Sequence, residues 1–166
     1  PMRFLLTIGG AGAQKEIFAH IIRYLLPYVK SEKAALYVNV GDYKNVWDDL
    51  EREIPEMSDI AIKHFDDWDD TTKFANDALT GDVTGIHGFF HKNIFEAVYC
   101  TNLLMRSADV LVTNVQCPHM SGFELIDCRN ACILCCVPEK GGRSVFCHTA
   151  LRRIEFDLCL IRHIAE

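Results

Sequence analysis

The residues with the clearest chemical meaning stand near the start of the chain. Ile8–Gln14 reads I-G-G-A-G-A-Q and follows directly on an apolar run at residues 3–8, RFLLTI. Glycine at 9, 10 and 12 lets the backbone turn tightly and approach a ligand closely. A helix that begins where this turn ends presents amides with no intrahelical partner, at the positive end of its dipole. A phosphate or diphosphate is the guest such a turn accepts. Gly9, Gly10, Gly12 and Ala13 are therefore the candidate diphosphate-binding residues. The spacing matches neither the dinucleotide fingerprint nor the P-loop, since no Gly-Lys-Ser/Thr follows. A plain strand-to-helix turn also needs glycine and is the competing interpretation.

The elements that would position this turn follow from hydrophobic spacing. Residues 3–8 read as a strand buried on both faces. From Ala13 to about Tyr28, Ile17, Ile21, Tyr24, Leu25 and Tyr28 recur at helical spacing, so this helix packs one face on a sheet. Ala34–Val40 is a second strand ended by Gly41-Asp42, and Tyr43–Ile54 a second helix stopped by Pro55. Ile60–Phe65 is a third strand, residues 71–80 a short helix, residues 88–106 a longer one, and Asp109–Thr113 a fourth strand. Strand and helix alternate at least three times. That pattern predicts an α/β fold, a Rossmann-like three-layer domain with a mostly parallel sheet. Ligands of such sheets bind at the carboxyl ends of the strands, near a switch point in strand order. Beyond Thr113 the pattern is looser: Gly122–Arg129 reads as a helix, Ala131–Val137 as a strand, Ser144–Arg153 as a helix, and Phe156–Ile161 as a strand or helix.

Composition narrows the function classes. The chain has 166 residues, 49% hydrophobic and 24% charged, which suits one globular domain over 1–166. A net charge of −6 favours neither a nucleic-acid backbone nor an anionic membrane as partner. No apolar run reaches the roughly 18 residues needed to span a bilayer. The opening PMRFLLTIGG reads as a strand rather than a signal peptide, which makes the cytoplasm the expected location. The chain changes character near residue 113. Seven of its eight cysteines lie beyond that point, and an acidic excess before it gives way to balanced charge after it.

LLTIGGAGAQ resembles the start of the C-terminal, donor-binding domain of GT-B glycosyltransferases. The nearest kin are the UDP-N-acetylglucosamine transferase of lipid II synthesis and related glycolipid synthases. Further segments follow in the family's order: LYVNVG (Leu36–Gly41), IKHFDDW (Ile62–Trp68) and SADVLVT (Ser107–Thr113). The resemblance implies a nucleotide diphospho-sugar donor, a UDP-sugar by kinship, with Gly9, Gly10, Gly12 and Ala13 on the diphosphate. It implies that Phe65 and Asp66 lie against the base. Threaded loosely past residue 113, it puts Ser121-Gly122 in the next loop and Glu124 on the ribose hydroxyls. No metal or other cofactor is implied. The acceptor half, which supplies the catalytic base, would be a partner chain or a missing N-terminal domain. The whole enzyme could associate peripherally with a membrane, and this chain alone would bind donor without transferring sugar. Two departures stand out: the stretch Thr71–Arg106 is longer than the family's usual helix, and the chain begins where the second domain of such an enzyme begins. The cysteine-rich tail reads either as the domain's continuation or as a misread or truncated reading frame.

Other constellations compete. Asp67-Trp68-Asp69 spells the D-x-D of metal-dependent GT-A transferases, where a divalent ion bridges carboxylates and diphosphate. The plainer reading is solvated carboxylates with one capping the next helix. Cys128, Cys132 and Cys135 have the spacing of the radical-SAM iron–sulfur motif. Cys117, His119, Cys147 and His148 could add zinc ligands, although cysteine in an apolar strand also serves as a small hydrophobe. His87 and His91 stand four apart, a metal-compatible spacing on a helix, but without a third ligand nearby they read as surface or helix-start residues. Cys100 reads as core, and Trp47 and Trp68 as packing residues. The leading expectation is a donor-binding glycosyltransferase domain. The alternatives are a non-catalytic nucleotide-binding or interaction module and a metal or iron–sulfur protein built on the tail.

Overall fold

The computed structural model describes residues 1–7 and 15–113, with the backbone of 132–135, 137–138 and 144–145. Six strands form one sheet: β1 (Met2–Thr7), β2 (Ala34–Asn39), β3 (Ala61–Phe65), β4 (Gly85–Phe90), β5 (Val110–Thr113) and β6 (Cys132–Cys135). Their order is β3-β4-β2-β1-β5-β6, and every pairing is parallel. The helices are α1 (Lys15–Lys30), α2 (Lys44–Glu53), α3 (Pro55–Ile60), α4 (Trp68–Asp77) and α5 (Ile94–Met105). A separate two-stranded antiparallel pair joins β7 (Val137–Pro138) to β8 (Ser144–Val145).

This is the Rossmann-like three-layer α/β architecture that the βα rhythm predicts. Period-two alternation along each strand feeds two cores. Phe4, Leu6, Leu36, Val38, Ile86, Val110 and Val112 face α1, α2 and α3. Leu5, Ala35, Tyr37, Phe89 and Leu111 face Ala75 of α4, Ala78 just past its end, and Cys100 and Leu104 of α5. The layering follows from the hand of parallel crossovers. Connections running toward the β3 edge pass over one face, and those running back pass over the other.

Three expectations need correction. Residues 88–106 are not one helix: β4 ends at Phe90 and α5 starts only after Asn93, whose side chain caps it by accepting from Phe95 N at 3.0 Å. The run G-I-H-G-F-F conceals a strand because both its faces are buried, so no polar alternation marks it. Pro55 does close α2, but it also opens α3 at its first turn, where its missing N–H costs nothing. Ser144–Val145, expected to begin a helix, is strand β8. In the tail, β6 falls within the strand expected at 131–137. Helix Gly122–Arg129, the rest of 146–153 and Phe156–Ile161 lie outside the described residues.

Strand order decides where ligands could sit. In the doubly wound dinucleotide fold the third strand lies beside the second. Here β4 is inserted between them, so β3 is an edge strand three places from β1, about 14 Å away at the usual interstrand spacing.

Candidate functional site

The carboxyl ends of β1 and β2 are tied together by a small polar network. Asn39, the last residue of β2, is buried, and its Nδ2 donates to Thr101 Oγ1 of α5 at 2.9 Å and to the Ala97 carbonyl at 3.4 Å. Its Oδ1 accepts from Gly41 N at 3.0 Å. Thr7, the last residue of β1, meets the same Thr101 hydroxyl at 3.2 Å. One α5 side chain therefore fixes the ends of the two strands that border the glycine-rich connection. A buried amide held by three partners is stable only in this geometry. Gly41 turns the chain away with φ +62°, where a side chain would be strained.

At the end of β3, Asp66 has φ 54° and spends its N–H on the Phe90 carbonyl at 2.7 Å. Its carboxylate accepts from Lys92 N at 3.0 Å and Lys92 Nζ at 2.7 Å, and these bonds hold its pKa below the usual carboxylate range. This clamp links the turns that follow β3 and β4. Asp67 caps α4, its side chain accepting from Asp70 N at 2.9 Å. Phe65 lies edge-on to Trp47 at 5.2 Å and to Phe90 at 5.8 Å, on the α2 face of the sheet.

Beyond β4, His91 is fully buried. Its Nε2 meets Thr71 Oγ1 at 3.1 Å, and its ring packs edge-on against Trp68 at 5.4 Å. Its Nδ1 makes no hydrogen bond and lies 3.7 Å from Glu96 Oε2. Burial lowers its pKa against the pull of Glu96. Deeper on the same face, His64 and His87 form a buried pair. His64 Nε2 and His87 Nδ1 are 3.1 Å apart, His87 Nε2 reaches the Thr84 carbonyl at 3.0 Å, and His64 Nδ1 meets Asp70 Oδ2 at 2.5 Å. Phe89 stacks on His64 at 4.8 Å, and Phe74 lies 4.3 Å from His87. Desolvation pushes the His87 pKa down to about 4.

At the start of α1, Lys15 Nζ lies 2.7 Å from Asp49 Oδ2, and Arg52 reaches the other oxygen of Asp49 at 2.8 Å. The hydrogen bond to Asp49 raises the Lys15 pKa and lowers that of Asp49. Lys15 is thus already paired, and an anion at the preceding turn would depend on backbone amides.

The expected site residues divide sharply. Gly9, Gly10, Gly12, Ala13 and Glu124 lie outside the described residues, as do the side chains of Cys128, Cys132 and Cys135. Phe65 and Asp66 stand at the carboxyl edge, on the outermost strand. Asp67 is the helix cap that the plainer reading of D-x-D expected. His87 and His91 are not surface residues of a helix. They lie on one face of β4 and its extension, and both are buried. Cys100 is core, and burial pushes its thiol up to about 12. Trp47 is fully buried and Trp68 packs on His91 and Tyr99. Among the described residues, no group of three His, Cys, Asp or Glu is disposed to hold a metal, and no helix is long and apolar enough to cross a membrane. Sequence reasoning missed the Thr7–Asn39–Thr101 network and the His64–His87 pair. The available signal was a polar residue inside or closing an otherwise apolar strand.

Residues 1–116 match the family described as Domain of unknown function (DUF6938). No curated protein and no solved structure matches the chain significantly.

Proposed function

The chain belongs to the DUF6938 family, and we propose that its domain binds a nucleotide diphospho-sugar, a UDP-sugar by resemblance, as the donor half of a glycosyltransferase. One observation carries this reading: the position of the glycine-rich connection. It joins the carboxyl end of β1 to the 16-residue helix α1. There the chain departs in opposite directions, from β1 toward β2 and from the adjacent β5 toward β6. A crevice opens at such a switch point, and a helix start beside it favours an anion.

In this reading the amides of Gly9, Gly10, Gly12 and Ala13 hold the diphosphate. The Thr7–Asn39–Thr101 network holds the strand ends that set the crevice. A donor anchored there and reaching toward Phe65 passes the turns after β2 and β4. At β3 the Asp66 side chain and N–H are already engaged, so the base would meet backbone carbonyls and the Phe65 ring edge. Glu124 would take the ribose. As the glycosidic bond breaks, charge grows on the leaving diphosphate, and preorganised amides stabilise it more than they do the intact donor. The acceptor and its base would come from another domain or chain.

Calorimetric titration of the full chain with UDP and UDP-N-acetylglucosamine, with and without magnesium, tests the proposal. Metal-independent binding lost in a folded Gly10→Asp variant is expected, because the new carboxylate faces the diphosphate. No binding to the folded parent refutes it. Binding only with magnesium moves the site to Asp67 and Asp69, and stoichiometric iron or zinc in the purified protein favours the cysteine tail instead.

A further inference from the structure

The chain Thr84–His87–His64–Asp70 has three gaps that hydrogen bonds must bridge. The outer acceptors are fixed, a carbonyl at one end and a carboxylate at the other. His87 Nε2 must carry a proton to reach the Thr84 carbonyl. One proton must lie between His87 Nδ1 and His64 Nε2, and one more between His64 Nδ1 and Asp70. Three bridging protons are needed, and two neutral imidazoles supply two.

We propose that Asp70, His64 and His87 form a proton-operated latch that pins the first turn of α4 to β3 and β4. It is closed only while the three groups together hold one proton beyond those of two neutral rings and a carboxylate. The inference does not depend on the donor-binding proposal.

The extra proton belongs to the set as a whole. Both rings are buried, and Asp70, the one carboxylate in the chain, stands against His64 alone, so the His64–Asp70 end holds it. Asp70 is half exposed and gives that proton a route to water. Of the other titratable groups around the pair, Tyr37 of β2 faces the His87 ring at 6.2 Å and His91 stands beyond the end of β4. Lys63 of β3 points to the opposite face, toward Glu51 of α2. Removing the extra proton leaves one gap with lone pairs opposed, whichever tautomers form. A second extra proton on the rings would set two N–H groups against each other, whereas one on the other oxygen of Asp70 leaves all three gaps bridged. The latch therefore opens as pH rises and the extra proton leaves, releasing the first turn of the helix that follows the Asp66–Asp67 turn.

Long-range proton–nitrogen NMR of the uniformly labelled full chain tests this. At neutral pH, His87 should be protonated on Nε2 alone and His64 on both nitrogens. In Asp70→Ala, which leaves neither a carboxylate nor an amide N–H to face His64 Nδ1, His64 should lose its second proton. Amide exchange in the first turns of α4, corrected for its intrinsic pH dependence, should then rise about tenfold or more while α1 is unchanged. In the parent, α4 exchange should accelerate in step with loss of the second His64 proton as pH rises. A singly protonated His64 beside an ionised Asp70 in the parent at neutral pH overturns the proposal, as does equal α4 protection in parent and variant; a protonated Asp70 donating to His64 Nδ1 closes the same three gaps and upholds it. If Asp70→Ala does not fold, the parent's ring-nitrogen shifts, the Asp70 carboxyl-carbon shift and their alkaline titration decide the matter alone.

Discussion

Gly88 of β4 sits under the indole of Trp47, and the effect of filling its missing side chain can be worked out from the contacts. A Cβ added there would lie 2.3 Å from Cη2, 2.4 Å from Cζ3 and 3.0 Å from Cε3 of Trp47. Carbon atoms prefer about 3.5 Å or more, so the ring or the strand would have to retreat by about 1 Å. Neither moves readily. Trp47 is fully buried with Phe65 edge-on at 5.2 Å, and β4 is hydrogen-bonded between β2 and β3. Overpacking of this kind costs about 1–3 kcal/mol, and the rigid surroundings place Gly88→Ala near the upper end, about 3 kcal/mol. Urea unfolding of the full chain should show a lower midpoint at unchanged slope. Trp47→Leu removes the clashing atoms, so the double variant should lose less than the sum of the two singles, with a coupling of about 1–3 kcal/mol. A Gly88→Ala chain within about 0.5 kcal/mol of the parent, or additive singles, would refute the placement of the indole on β4.

Two further outcomes follow from the buried polar groups. His87 has a folded pKa of about 4 against an ordinary 6.5, so the unfolded chain binds a proton that the folded chain refuses. This contribution to stability is complete above pH 6.5 and is lost as pH falls toward 4, amounting to about 3 kcal/mol. His91, also lowered by burial, acts in the same direction. Urea midpoints that stay level between pH 7 and 4.5 would contradict this environment for His87. Thr101→Val removes the hydroxyl shared by Thr7 and Asn39, leaving the buried Asn39 amide short of a partner. It should cost about 1–3 kcal/mol in urea unfolding and weaken UDP binding measured by calorimetry. Unchanged affinity in a destabilised variant would separate the network from the proposed site.

Much of this architecture can be read along the chain. Ile21, Leu25 and Tyr28 mark α1 because a helix on a sheet hides only one stripe, although Tyr24, read with them, is exposed. RFLLTI and AALYVN mark β1 and β2 because strands covered on both faces are apolar throughout. Cysteine at position 100, amid a helical apolar pattern, reads correctly as core. The proposed role of Gly9, Gly10 and Gly12 rests on a different kind of signal, since glycine announces backbone freedom rather than burial.

What local pattern could not decide was which segments become neighbours. G-I-H-G-F-F has no polar alternation and two glycines, and only its place in the sheet makes it a strand. Its insertion between β2 and β3 moves Phe65 and Asp66 one strand farther from β1, a shift no window of sequence contains. His64 and His87 are 23 residues apart, and they meet because β3 and β4 pair in one register with both rings on the α4 face. Gly88 is required only because Trp47 packs above it. Composition and spacing thus determined most of the elements, since those depend on neighbours in the chain. Strand order, the clamp at Asp66, the polar network at Asn39 and the histidine pair were decided by tertiary structure. Each is a contact between elements whose adjacency is set by the net burial of all their faces together.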